Sequence, residues 1–96
     1  MGKHHELKIN HPYYDMVLAG TMRFQIRNND RDFHAGDTVE LRSYDPINQA
    51  FSKTAKPLTF RIGGLLTLDY FEGLKPITPY GKHVIFSLLP LEGGAA

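Results

Sequence analysis

From Gly20 to Asp37 the chain reads GTMRFQIRNNDRDFHAGD, an alternation of apolar and polar residues that closes on a Gly-Asp pair. Alternation is the period of a strand and not of a helix, so this stretch commits the chain to sheet early. At that period Met22, Phe24 and Ile26 point to one face, expected in the core, and Arg23, Gln25 and Arg27 point to the other. The second face presents two guanidinium forks and an amide with no acid among them, a set suited to phosphate or carboxylate recognition. A wet sheet face neutralised by neighbouring acids is the plainer reading, and the residues alone favour it slightly.

The rest of the chain is punctuated in the same manner. Leu7 and Ile9 alternate with Glu6 and Lys8 in a first strand that breaks at Asn10-His11-Pro12. Pro12 suits the first turn of a short helix, Asp15 complements its N-terminus, and Gly20 stops it. Tyr13 or Tyr14, Val17 and Leu18 form its buried stripe. A second strand covers residues 22–27, and the Asn- and Asp-rich run at 28–32 is a loop pinned by Phe33. Gly36-Asp37 turns the chain into a third strand with Val39 and Leu41 inward and Glu40 and Arg42 outward, ended by Tyr44-Asp45-Pro46. Residues 47–57 read as a polar connection with a mobile tip, in which Phe51 is the one large anchor. Residues 57–70 are a hairpin turning on Gly63-Gly64 or one long strand bent there, with the bent strand favoured. Pro and Gly make 71–82 a second loop, HVIFSLL is a central strand ended by Pro90, and the tail LEGGAA frays. One helix and about five strands make this an α+β fold with a curved or closed β-barrel, the helix following the first strand.

Composition narrows the functional classes. With 96 residues the chain is expected to form one domain, 1–96, around one core. It has no cysteine, which removes disulfides, thiolate chemistry and Cys-ligated zinc together. No apolar run approaches the roughly 18 residues of a membrane span, and the first ten residues lack the apolar core of a signal peptide. No membrane association and a cytoplasmic location are therefore expected. A net charge of +1 excludes global attraction to nucleic acid and leaves a local patch. Arg23, Arg27, Arg31 and Arg42 supply such a patch, although Asp30, Asp32, Asp37 and Glu40 share the window and explain part of it as ion pairs.

Other chemistry finds little support. The five histidines, His4, His5, His11, His34 and His83, lack metal-ligand spacing, and solvated or capping roles are favoured; no metal and no cofactor is expected. Ser43, Ser52 and Ser87 sit in no nucleophile elbow, so no catalytic residue is assigned. Gly63-Gly64 is followed by neither Lys-Ser/Thr nor a helix, and is no phosphate loop. Bases stack on tyrosine, and Tyr44, next to the arginine-bearing strands, is the candidate singled out from Tyr13, Tyr14, Tyr70 and Tyr80.

The order strand, short helix ending in Gly, Arg-bearing strand, Gly-Asp turn, strand resembles the ASCH domain of the PUA-like superfamily. More closely, HELKI at 5–9, Pro12-Tyr13-Tyr14, FQIRNNDRDF at 24–33, Gly36-Asp37 and RSYDP at 42–46 resemble small ASCH-like domains of unknown function that are frequent in phages and prophages. The resemblance implies a PUA-like barrel with a cleft beside the helix for RNA or nucleotide-like ligands. The ASCH signature is Gly-x-Lys-x-x-Glu-x-Arg. This chain keeps Gly20 and Arg27 but has Met22 for the Lys and Gln25 for the Glu. Some ASCH proteins resemble amidohydrolases of acylated cytidines that use a Lys and a Thr from this region with a Glu elsewhere. Met22 and Gln25 can serve neither as nucleophile nor as base, so binding survives the departure better than catalysis.

The expectation is an RNA- or nucleotide-binding module whose cleft is lined by Lys8, Arg23, Gln25, Arg27, Asn29, Asp30, Arg31 and Tyr44. Arginines would hold phosphate, and Gln25 or Asn29 a base edge. The alternatives are a hydrolase of modified nucleosides or RNA, with Asp30 or His34 in the acid-base role, and a phage protein that binds a host protein.

Overall fold

The computed structural model describes residues 2–28, 31–67 and 83–91. The elements are β1 (His4–Asn10), α1 (His11–Leu18), β2 (Phe24–Asn28), β3 (Thr38–Asp45), β4 (Ala50–Phe51), β5 (Leu58–Thr67) and β6 (His83–Pro90). The loop expected at 71–82 and the tail beyond 91 lie outside the described residues, as do Asn29 and Asp30.

Five strands form one path in the order β1-β3-β5-β6-β2, with the two-residue β4 added to β3. Among the described residues only β1 and β3 are parallel, in a register that sets His5 beside Val39 and Lys8 beside Arg42. Parallel neighbours need a crossover rather than a hairpin, and the segment carrying α1 and β2 supplies it. The path leaves β1 and β2 as the outer strands, and the sheet curls into a half-barrel that brings them together. A guanidinium nitrogen of Arg27 on β2 reaches the Lys8 carbonyl on β1 at 2.9 Å. No backbone ladder joins β1 to β2 among the described residues, so the half-barrel has a seam there, clasped by a side chain.

Leu7, Ile9, Val39, Leu41, Ile62, Val84, Phe86 and Leu88 are buried along the inner face, with Phe33 stacked at 5.1 Å on Phe86. The expected bent strand is present. β5 runs through Gly63-Gly64 with a register irregularity between Ile62 and Leu65, and a Cβ on Gly63 would lie 2.6 Å from Ser87 Oγ. Ser87 Oγ accepts the Gly64 N–H at 2.8 Å, which satisfies a donor that the bulge frees from the ladder.

Four expectations need correction. The β2 register is inverted: Gln25 is 6% exposed, whereas Phe24 and Ile26 are 43% and 54% exposed. Antiparallel partners share a face, and the ladder sets Gln25 against Phe86 and Arg27 against Val84, both inward, with Ile26 against Ile85 outside. The outer face continues from Ile85 to Leu66, so Phe24 and Ile26 lie beside an apolar row that one strand's periodicity cannot reveal. Met22, just before β2, does pack half-buried against the core.

The helix supplies the second correction. Tyr14 and Val17 are its buried pair while Leu18 is exposed, because two turns meet the sheet through a single i, i+3 contact. The Tyr14 hydroxyl ties that contact down by donating to the Lys56 carbonyl at 2.6 Å. Third, the helix starts at His11, which places Asp15 beyond the first turn and leaves no acid there to meet the dipole. Fourth, residues 47–57 are not wholly irregular. Ala50 and Phe51 pair with Asp45 and Tyr44, and Asp45 closes the intervening turn by accepting the Ile47 and Asn48 N–H groups.

Gly36 has φ +93° and no atom within 4 Å of where a Cβ would stand. Gly36→Ala therefore isolates backbone strain: a loss of about 1–2 kcal/mol is expected in urea unfolding. An unchanged midpoint would show that the turn relaxes out of the left-handed region.

Candidate nucleic-acid interface

The seam between β1 and β2 holds two hollows. The first, of about 410 Å³, is lined by Lys8, Ile9 and Asn10 at the end of β1, Tyr13 of α1, and residues 22 and 24–27. The helix starts directly after β1, with Pro12 in its first turn, so Tyr13 is carried straight onto the rim of the seam. That volume falls in the range of small-ligand clefts.

Gln25 and Arg27 form the wall of this hollow from β2. The Gln25 Oε1 accepts from Arg27 Nε at 3.2 Å and from a terminal guanidinium nitrogen at 3.0 Å. Its amide nitrogen donates to the Phe24 carbonyl at 3.1 Å. Gln25 thus uses both ends of its amide inside the protein and fixes the Arg27 guanidinium, occupying its Nε and one terminal nitrogen. Lys8 stands on the opposite edge, its Nζ 4.6 Å from the centre of the Tyr44 ring, a cation–π contact.

The second hollow, also of about 410 Å³, lies along the same seam and shares Lys8 and Arg27 with the first. Asn28, Arg31, Arg42 and Phe51 complete most of its lining, together with Glu6. Arg42 is engaged by acids, with Glu40 at 2.7 Å and Glu6 at 3.5 Å. The Glu40 hydrogen bond, then the charges of Glu40 and Glu6, push its guanidinium up and hold it protonated.

Of the residues the sequence nominated, the structure brings Lys8, Gln25, Arg27 and Arg31 to the seam. It leaves two others away from both hollows. Arg23 sits exposed before β2 and donates through Nε to the Gly20 carbonyl at 3.1 Å. Tyr44 is half-buried between Lys8 and the Phe51 ring, which meets it edge-on at 5.1 Å. Gln25 faces inward rather than outward, and its amide is engaged by Arg27 and by the Phe24 carbonyl. Asn29 and Asp30 lie outside the described residues. Sequence reasoning missed Phe51 as a lining residue, and the pairing of Tyr44 with Phe51 across a tight turn at Asp45 was the signal available.

A second cluster lies away from the seam. Asp37 is buried and accepts from His5 Nε2 at 2.8 Å, the Lys3 N–H at 2.9 Å and the His34 N–H at 3.0 Å. Burial pushes its carboxyl up, but the hydrogen bonds from His5 and the two N–H groups outweigh that and hold it below the ordinary value. His5, expected to be solvated or capping, is instead buried against Phe33, with ring centres 4.7 Å apart. Nearby, Asp32 is lowered by its hydrogen bond to His34 and by the charges of His34 and Lys3. Among the described residues no group of three or more His, Asp or Glu side chains comes together to hold a metal ion. No helix among them is long and apolar enough to cross a membrane.

Comparison with known proteins adds the family. An uncharacterized 12.9 kDa protein in the GpA 3′ region of Escherichia phage P2 is 41% identical over 44 residues, which is 46% of this chain and 40% of that protein. Small ribosomal subunit protein uS17 of Aeromonas hydrophila and of Aeromonas salmonicida are each 31% identical over 49 residues, 51% of this chain and 60% of theirs. The chain thus spans about two to three fifths of the length of these curated relatives. The family described as "Domain of unknown function (DUF3850)" matches residues 4–71, from the first residue of β1 past the end of β5. A match over that much of the chain, taking in both walls of the seam, makes this protein a member of the DUF3850 family.

Proposed function

We propose that this chain is an RNA- or nucleotide-binding module that takes its ligand in the seam beside α1. One observation carries the reading: Lys8 and Arg27, from the two outer strands of the sheet, meet beside the half-exposed Tyr13 in a hollow of small-ligand size. Cations next to an exposed ring are what a phosphate and a base require together. The Gln25 amide holds the Arg27 fork in place before any ligand arrives, which reduces the ordering cost of binding. The ASCH-like, PUA-like resemblance supports the same cleft, and the ribosomal name borne by two relatives agrees with an RNA-facing role.

Binding is expected to be modest and salt-sensitive, because few phosphates can be neutralised by a chain of net charge +1. Labelled hexauridylate titrated at low and moderate salt should bind the parent and lose about tenfold or more in affinity to Arg27→Ala. Lys8→Ala should lose less, and Arg27→Lys should recover part of the loss. Equal affinities for the parent and both alanine variants, or no binding at low salt, would remove the proposal.

A further inference from the structure

We infer that the seam is a two-nucleotide track, so that the preferred ligand is a single-stranded oligonucleotide and not a mononucleotide. This rests on the functional reading above and extends it to the second hollow. The two hollows share Lys8 and Arg27 as their common wall, so a ligand that fills both must pass its linking phosphate over these two cations. Among the described residues Lys8 has no carboxylate partner, only the Tyr44 ring beneath its Nζ. Its charge is therefore available to a phosphodiester.

The second hollow has the parts of a nucleotide subsite in its own right. Phe51 is 49% exposed, yet its ring is fixed edge-on against Tyr44 at 5.1 Å and its backbone is held in the β3–β4 pairing. A large apolar ring kept in water and prevented from collapsing is a stacking platform for a base of any identity. Arg31 lines the same hollow and makes no hydrogen bond or ion pair among the described residues, which leaves its fork for a second phosphate. Arg42 is different. Glu40 and Glu6 compensate it, so it shapes the wall and adds little net charge. Asn28 supplies an amide at the strand end, able to donate to a sugar or base oxygen.

The test compares uridine 5′-monophosphate, the dinucleotide UpU and hexauridylate by competition at low salt, on the parent and on Phe51→Ala, Phe51→Trp and Arg31→Ala. Both positions are exposed, and thermal melts should show all four proteins equally folded. UpU and hexauridylate are expected to bind the parent about tenfold or more tightly than the monophosphate. Phe51→Ala and Arg31→Ala should each lower oligonucleotide affinity about fivefold or more and so narrow the gap between oligonucleotide and monophosphate, while Phe51→Trp retains oligonucleotide binding. Equal affinity for monophosphate and oligonucleotides, or oligonucleotide binding indifferent to both alanine variants, overturns the two-nucleotide track and leaves the single cleft standing. Failure of all three probes to bind overturns the functional reading itself.

Discussion

Asp37→Ala is expected to cost this protein about 2–4 kcal/mol, because a buried donor left without its acceptor costs about 1–3 kcal/mol. The carboxylate is the buried acceptor for three donors from two chain segments, the His5 ring and the Lys3 N–H at the start of the chain and the His34 N–H in the turn before β3. Removing it strands the buried His5 ring and leaves two half-buried N–H groups without their acceptor, and so large a share of a typical total of about 5–15 kcal/mol would show directly in urea unfolding. Asp37→Asn keeps the volume and one acceptor and should cost less, about 1–3 kcal/mol. Acid supplies a second readout. The folded carboxyl is held below its ordinary value of 3.8, so the native state binds fewer protons than the unfolded chain in that range. Its contribution is complete above the unfolded value and disappears as pH falls through the folded one. Stability of the parent should therefore decline from about pH 5 downward, and Asp37→Asn should decline less over the same interval. Parallel pH profiles for the two proteins would show that Asp37 is not the anchor the geometry makes it.

N4-acetylcytidine is expected to survive incubation with the protein. Deacylation needs a nucleophile and a group to move its proton, and losing general acid–base help alone costs about 10² to 10⁴ in rate. Met22 packs half-buried on the core, and the Gln25 amide is consumed by Arg27 and the Phe24 carbonyl. The described lining of the hollow contains no carboxylate, histidine, serine, threonine or cysteine. Measured by absorbance, turnover should stay below about 10⁻² s⁻¹, set against the roughly 1 s⁻¹ of an ordinary enzyme. A rate of about 1 s⁻¹ or faster would mean that Lys8, Tyr13 or a group outside this lining forms a catalytic site.

The contrast between β3 and β2 shows how far local pattern reaches. Val39 and Leu41 alternate with Glu40 and Arg42, so only one face of β3 can be buried, and it is. In β2 either face could find a place. Ile26 is matched outside by the apolar row of Ile85 and Leu66, next to which Phe24 pairs with Ser87, and Gln25 and Arg27 bond each other inside. Register then follows from the partner strand rather than from the strand's own residues. The candidate site was legible in the same partial way. Its cations were visible as a cluster of residue types, but the wall they share exists only because the sheet curls.

Turn chemistry and side-chain period act within a few residues, and so the sequence by itself determined where β1, α1, β3 and β6 lie, that the chain bends or turns at Gly63-Gly64, and that Gly36-Asp37 is a turn. Pairing acts between residues far apart in the chain. The tertiary structure alone decided that β2 lies at the far edge from β1, that Arg27 clasps the seam at the Lys8 carbonyl, that His5 is buried on Asp37, and that Arg31 and Phe51 share one hollow. Each of these depends on which long-range contacts bury the most apolar surface while leaving every polar group a partner, a balance that no local stretch of sequence contains.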